Sequence, residues 1–275
     1  MRRHRAGTVL AVAAGVGTAA VLRAAHRTGR LLGGSARWER TNHRGDPVSL
    51  TEGVALAGGA GLPLLLLDPP AGCAVLLAGV AGAVDDLGGR TDVKGLRGHL
   101  GALAEGELTT GALKVLTLGV AGLGAVLWSD RTRCGDGAGV GRRGVRVDSL
   151  AGAAVVAGSA NLANLLDLRP GRALKVALAA AVPLLGGRAA AATTLGAGLL
   201  VLPEDLRGRT MLGDTGANAL GAGIGVAAVQ ALPARGRWVL LAGITTLTLV
   251  SERISFTRVI DSTPVLREID RWGRW

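Results

Sequence analysis

Tyrosine is absent from this chain of 275 residues, and five tryptophans and one phenylalanine are its whole aromatic complement. A module that stacks nucleic-acid bases on aromatic rings has no platform here. The net charge of +11 therefore points away from nucleic acid and toward anionic lipid headgroups and phosphate-bearing substrates. Two cysteines occur, Cys73 and Cys134, without metal-ligand spacing. Cys73 lies in an apolar run as a space-filler, and no disulfide between the two is expected. Histidine is scarce and stops at His99, and 28 of the 31 basic residues are arginine. The 45 glycines follow no G-x-y period, which excludes collagen, and no internal repeat is visible.

What the chain does have is apolar residues in runs. They make up 49% of the sequence, with a mean hydropathy of +0.39. Apolar stretches of roughly 14–19 residues alternate with short charged loops, as in membrane helices. The proposed spans are 6–22, 53–67, 70–84, 111–128, 147–165, 173–186, 188–203, 216–231 and 237–251. The expected fold is all-α, a polytopic transmembrane helical bundle of about nine spans (8–11), forming one domain over 1–275 with a C-terminal tail at 252–275. Glycine and alanine suit close helix–helix approach in lipid. The basic start, Met1-Arg-Arg-His-Arg, resembles a signal peptide but is read as a retained helix. A short interfacial helix is expected at 264–272. With alternating loops, the more basic side carries His43, Asp85-Asp86, Asn161 to Asp167 and Asp214, which makes that side cytoplasmic and places an active-site cleft there.

Four segments carry chemistry. Val84-Asp85-Asp86-Leu87-Gly88 closes an apolar run with two carboxylates. These suit either Mg2+, a hard cation that takes oxygen ligands and substrate phosphates, or a helix end meeting water. Asn161 and Asn164 are three apart on one helix face, with Asp167 just beyond. They either hold a nucleotide, sugar or phosphate, or bond between helices. Met211-Leu-Gly213-Asp214-Thr215-Gly216-Ala-Asn218 opens a new apolar helix. Asp214 either caps that helix or completes a cation pocket with Asp85 and Asp86. The stretch from Thr41 to Pro47 carries His43 and Arg44, and Lys94, Arg97 and His99 follow the acidic pair. On residues alone both read as basic loops. Together the segments imply phosphoryl chemistry, in which positioning and charge neutralisation dominate.

These residues resemble the polyprenyl-phosphate N-acetylhexosamine-1-phosphate transferases, which include phospho-N-acetylmuramoyl-pentapeptide transferase and the GlcNAc-1-phosphate transferases. Asp85-Asp86 with the run to His99, Asn161-x-x-Asn164-x-x-Asp167 and Gly213-Asp214-Thr215-Gly216 are similar to three motifs of that family, in order, and the resemblance spans about 38–220. It implies transfer of a sugar-1-phosphate from a UDP-sugar to polyprenyl (undecaprenyl) phosphate with release of UMP, in cell-envelope glycan synthesis. It implies Mg2+, or Mn2+ in its place, bound by Asp85, Asp86 and Asp214, the same three being catalytic. It implies substrate contacts from Asn161, Asn164, Asp167, His43 and Lys94. It further implies a multi-pass protein of the bacterial inner membrane, possible homodimerisation and no nucleic-acid partner. The sequence departs from the family late in the chain, where a histidine-rich motif is replaced by Val250-Ser-Glu-Arg253-Ile-Ser-Phe256-Thr-Arg258, so Arg253 is expected to take over phosphate binding. Rival readings are a catalytically degenerate polyprenyl-phosphate-binding relative and a small transporter. A transporter would place its acids near the midplane of two similar halves.

Overall fold

The structure, a computed structural model, describes residues 2–28, 35–41, 45–88, 110–133, 147–186 and 188–274. Helix α1 (Arg2–Arg27) is followed by a 3-10 turn (Ser35–Trp38) and two short strands, β1 (Glu39–Thr41) and β2 (Pro47–Ser49). Then come α2 (Thr51–Leu67), α3 (Pro69–Gly88), α4 (Thr110–Arg133), α5 (Val147–Leu166), α6 (Arg172–Ala181) with a 3-10 extension (Val182–Leu184), α7 (Ala189–Leu206), α8 (Gly213–Ala231), α9 (Ala234–Ser251), α10 (Phe256–Ser262) and α11 (Pro264–Arg271).

Small residues set the packing. Helix α8 is the centre of the bundle, buried from Thr215 through Val229 but for Ile224. It packs on α3 and α5 most extensively, and α1 leans on α2 and α7. A Cβ built on Gly82 of α3 would lie 2.2 Å from the Asp214 carbonyl oxygen, and one on Gly221 of α8 would lie 2.2 Å from that of Ser159. Any larger residue would push these helices apart, so glycine here is the condition for contact. Pro69 and Pro70 open α3, where their missing N–H groups cost nothing. Asp68 just before them accepts a hydrogen bond from Gln230 Nε2 at 2.6 Å, pinning the α2–α3 turn to the far end of α8.

Two expectations are corrected here. The expected all-α bundle is mostly helical but gains a small ribbon, in which β1 and β2 pair antiparallel with Arg40 opposite Val48. Ser49 also bridges in parallel to Thr210, tying this ribbon to the segment that leads into α8. Nor are there nine membrane spans. Among the described residues, three helices are long and apolar enough to cross a membrane: Arg5–Arg27, Pro69–Gly88 and Val147–Leu166. A fourth arises only if Ala234–Ser251 and Phe256–Ser262, bent by 91°, count as one span. A helix does occupy each of the other proposed stretches, but α2 has only 17 residues and α6 only 10, and α7 runs into Glu204 and Asp205. Helix α8 carries Asp214, Asn218 and Gln230 among many glycines, which lowers its mean hydropathy. Its surroundings are other helices, which bury it over most of its length. The expected nine-span inner-membrane topology, and the cytoplasmic cleft derived from its alternating loops, is therefore corrected to three candidate spans, or four with the bent pair, among the described residues.

Polar residues collect at both ends of the bundle. At one end Asp130 of α4 binds the buried Arg237 of α9 at 2.6 Å and accepts from Ser149 of α5 at 3.1 Å. The other end carries the C-terminus of α3, the N-terminus of α4, the C-termini of α5 and α7 and the N-terminus of α8.

The tail docks on this second end. Arg172, at the start of α6 and 3% exposed, grips Asp270 with two hydrogen bonds, Nε to Oδ1 at 2.7 Å and Nη2 to Oδ2 at 3.0 Å. Lys175, one turn on, donates to the carbonyls of Ile269 (3.0 Å), Asp270 (2.6 Å) and Trp272 (3.0 Å). A cation there satisfies the free carbonyls at the end of α11 and complements its dipole.

Candidate functional site

Asp85 and Asp86 sit in the last turn of α3, and the close approach at Gly82 brings that turn against the start of α8. Gly213 takes a left-handed conformation, φ +59°, and a Cβ there would lie 3.0 Å from both Asp86 carboxylate oxygens. A side chain at 213 would therefore be strained in its backbone and would crowd that carboxylate. The geometry gives the two aspartates different tasks. Asp86 Oδ1 accepts from the Asp214 N–H at 3.1 Å, and Oδ2 accepts from the Thr215 N–H at 2.8 Å and the Thr215 hydroxyl at 2.6 Å. It thus caps the N-terminus of α8 from another helix, where free N–H groups and the helix dipole favour an anion. Arg40 of β1 donates to the Asp86 backbone carbonyl and fixes the same turn from outside.

Asp85 and Asp214 face a common cation that sequence reasoning missed. Lys114, in the second turn of α4, places Nζ 2.5 Å from Asp214 Oδ2 and 3.3 Å from Asp85 Oδ2. The available signal was a lone lysine in the run Gly111-Ala-Leu-Lys114-Val-Leu-Thr-Leu. A charge in such a run is costly unless it faces a partner.

Asp167 ends the approach of α5. It is 7% exposed, and burial first, then the charges of Asp205, Asp214 and Asp86, pushes its carboxyl well above the usual carboxylate range against a hydrogen bond from the Gly213 backbone. The three motif segments thus converge at the start of α8, two of them sharing Lys114 and the third reaching the Gly213 backbone through Asp167. Neither amide of the Asn161/Asn164 pair joins the carboxylates among the described residues: Asn161 is exposed and Asn164 half-buried along α5. Arg253 is exposed just beyond α9. His43 and Lys94 lie outside the described residues. Asn218, one turn into α8 from Asp214, is fully buried, and neither its amide nitrogen nor its oxygen has a partner.

The expected metal site is corrected. Among the described residues no group of three or more His, Cys, Asp or Glu is arranged to hold a metal ion. The physical reason is visible in the partners. Both oxygens of Asp86 are committed to the start of α8, and the space between Asp85 and Asp214 is bridged by the Lys114 ammonium. The assignment of Asp85, Asp86 and Asp214 as ligands for Mg2+ or Mn2+ does not fit this arrangement. The positive charge at the site comes from the lysine.

Next to the cluster, Asp205 at the end of α7 is 2% exposed and accepts the Gly171 N–H at 2.6 Å. Burial lifts its pKa to about 7, although that hydrogen bond and the charges of Arg274 and Lys175 pull it down. The folded value lies above the ordinary 3.8, so between the two the folded chain holds a proton that the unfolded chain has released. The stability this proton contributes is complete below the ordinary value and is lost as pH rises through about 7. Asp205→Asn, which keeps an acceptor for Gly171 without a charge, is expected to stabilise the protein relative to the parent at pH 8 and to lose that advantage at acidic pH. Denaturant midpoints measured across this range check it, and parallel curves for the two proteins would refute it.

No family model matches this chain, and no curated protein matches it at a significant level.

Proposed function

We propose that the chain transfers a sugar-1-phosphate, of the N-acetylhexosamine class, from a UDP-sugar to polyprenyl phosphate. The observation that carries this reading is the convergence of three separate stretches at one end of the bundle, where Asp85 and Asp214 share Lys114, Asp86 caps the start of α8, and buried Asp167 accepts a hydrogen bond from the Gly213 backbone. They are the three stretches whose residues resemble the transferases' motifs.

In this reading an oxygen of the lipid phosphate attacks the phosphorus that carries the sugar. The new oxygen–phosphorus bond replaces the bridge to the second phosphorus, and UMP departs with the bond's electrons. The product is a lipid-linked sugar diphosphate. Phosphoryl transfer asks a protein chiefly for position and for charge at the oxygens. Lys114 supplies a fixed ammonium for the diphosphate, and Asp85 and Asp214 hold it in place. Asp85 also accepts the proton when the lipid phosphate arrives as a monoanion. Asp86 acts through the backbone, as the cap that sets Asp214, and is a positioning residue.

Full-length protein in detergent, given undecaprenyl phosphate and a panel of radiolabelled UDP-sugars, is expected to move label into the organic phase with one UMP released per sugar. Folded protein that labels no lipid with any donor would overturn the transfer reaction.

A further inference from the structure

The tail docks with its polar side against the bundle and its apolar side outward. Thr263, Arg267 and Asp270 recur on one face of α11, from its N-cap onward, and are its inward positions: Asp270 is buried and the other two are half-buried. The opposite face carries Val265, Leu266, Ile269 and Trp272, all between 44% and 77% exposed. A helix laid on a body surrounded by water turns its apolar stripe to the core and its charges outward. Here that order is reversed, and directed bonds fix the reversal. Arg172 holds the Asp270 carboxylate at 2.7 and 3.0 Å, Lys175 holds the carbonyls of Ile269, Asp270 and Trp272, and Arg274 Nε donates to the Pro170 carbonyl at 2.8 Å. To roll its stripe inward, α11 would have to break them.

Two observations say what covers the stripe. The first is its position. Helix α9 packs along α5, which is long and apolar enough to cross a membrane. The chain bends by 91° between α9 and α10, so the tail turns across the end of α9 instead of prolonging it. It docks on α6, which starts at Arg172 just after α5 ends at Leu166, and α11 therefore lies beside the end of α5. The second is where the exposed indoles stand. Trp238 Nε1 donates to Asp148, in the first turn of α5, at 3.0 Å, and Trp128 stands at the same end of the bundle. Trp272 stands at the other end, where Lys175 holds its carbonyl. The 20 residues of α5 span about 30 Å at ~1.5 Å per residue, which is the thickness of the hydrocarbon core of a bilayer. Tryptophan gathers at both edges of that core, where its ring meets lipid and its N–H meets water. Charge does not select the lipid. Exposed Arg253, Arg258 and Arg271 are matched by exposed Glu252, Asp261 and Glu268, so the apolar stripe makes the contact.

We propose that α11 is an interfacial helix, whose Val265, Leu266, Ile269 and Trp272 enter the boundary between the headgroups and acyl chains of a lipid bilayer while Asp270 stays locked to Arg172. Such a helix buries its apolar face ~5–10 Å into that boundary. The Arg172–Asp270 pair sets which face meets lipid, and Lys175 and Arg274 hold the helix at that height on the bundle. The inference stands apart from the transfer reaction, since contact with lipid is read without substrate or turnover.

The test uses the full-length chain, with Cys73→Ser and Cys134→Ser, reconstituted in vesicles of phosphatidylcholine and phosphatidylglycerol. A nitroxide label is attached in turn at Val265→Cys, Glu268→Cys and Ile269→Cys. All three side chains are exposed, so a label displaces no packing, and the thermal midpoint of each variant checks that it folds. Collisions of the label with oxygen, which concentrates in lipid, are compared with collisions with a nickel chelate, which stays in water. Oxygen collisions are expected to exceed nickel collisions several-fold at Val265 and Ile269, and the order is expected to reverse at Glu268. Nickel collisions dominating at all three positions would overturn the proposal by leaving the stripe in water. Oxygen dominating at all three would overturn the interfacial placement. Shielding of Val265 and Ile269 from both reagents would also overturn it, spin–spin broadening then identifying a second copy of the chain as the cover and its absence identifying the chain's own fold. Folded protein that does not float with the vesicles would overturn it as well.

Discussion

Replacing Lys114 with methionine is expected to lower kcat for lipid-linked product by about 100- to 1,000-fold while the protein stays folded. That is the usual cost of removing one fixed charge or donor aimed at a transition state. Methionine keeps the length and apolar stem of lysine, so α4 loses no packing volume. What disappears is the cation 2.5 Å from Asp214 and 3.3 Å from Asp85, leaving two carboxylates facing each other and repelling an incoming diphosphate. Lys114→Arg is expected to recover only part of the rate, because a planar guanidinium does not reproduce a compact ammonium. Initial rates with saturating donor, together with the thermal midpoint of each variant, check this. A methionine variant working within a few-fold of the parent would show that the ammonium only pins helices together.

Asp270→Ala is expected to undock the tail. Arg172 is 3% exposed, and stripping a buried ion of its partner costs about 3–5 kcal/mol. The chain has a cheaper way out. If α10 and α11 swing away, Arg172 reaches water, so the loss is capped at the free energy of docking and appears as local opening. Hydrogen exchange over 256–274 is expected to accelerate while α8 stays protected. The double replacement Arg172→Met with Asp270→Leu, which removes both charges, is expected to restore protection, since a buried pair exchanged for apolar residues is often neutral in stability. Equal exchange in the parent and the Asp270→Ala variant would show that the tail is held by its apolar contacts instead.

Much of the local structure was legible because it depends on neighbours in sequence. The run Gly213-Asp214-Thr215-Gly216 reads as a helix start, and α8 begins at Gly213. Asp68-Pro-Pro reads as a tight turn between two helices, and α2 and α3 join there. Membrane spans were less legible, because an apolar run is equally a buried helix of a bundle and a helix in lipid. Helix α8 shows why. Its composition reads as a span, but α3, α5, α2 and α7 cover it. The ribbon of β1 and β2 escaped notice because three-residue strands leave almost no periodic pattern.

The site divides along the same line. The sequence by itself determined which carboxylates stand at helix ends, since Asp85-Asp86, Asp167 and Asp214 each close or open an apolar run. Only the tertiary structure decided what each does. Whether Asp86 binds a metal or caps α8 depends on how near α3 comes to α8, and Gly82 sets that distance from inside a helix. Whether the cation between Asp85 and Asp214 is an ion or a side chain depends on Lys114, 28 residues from Asp86 and 100 from Asp214 in the chain. Contacts over such separations follow from how helices pack, and a motif of a few residues carries no record of the side chain that another helix will bring to it.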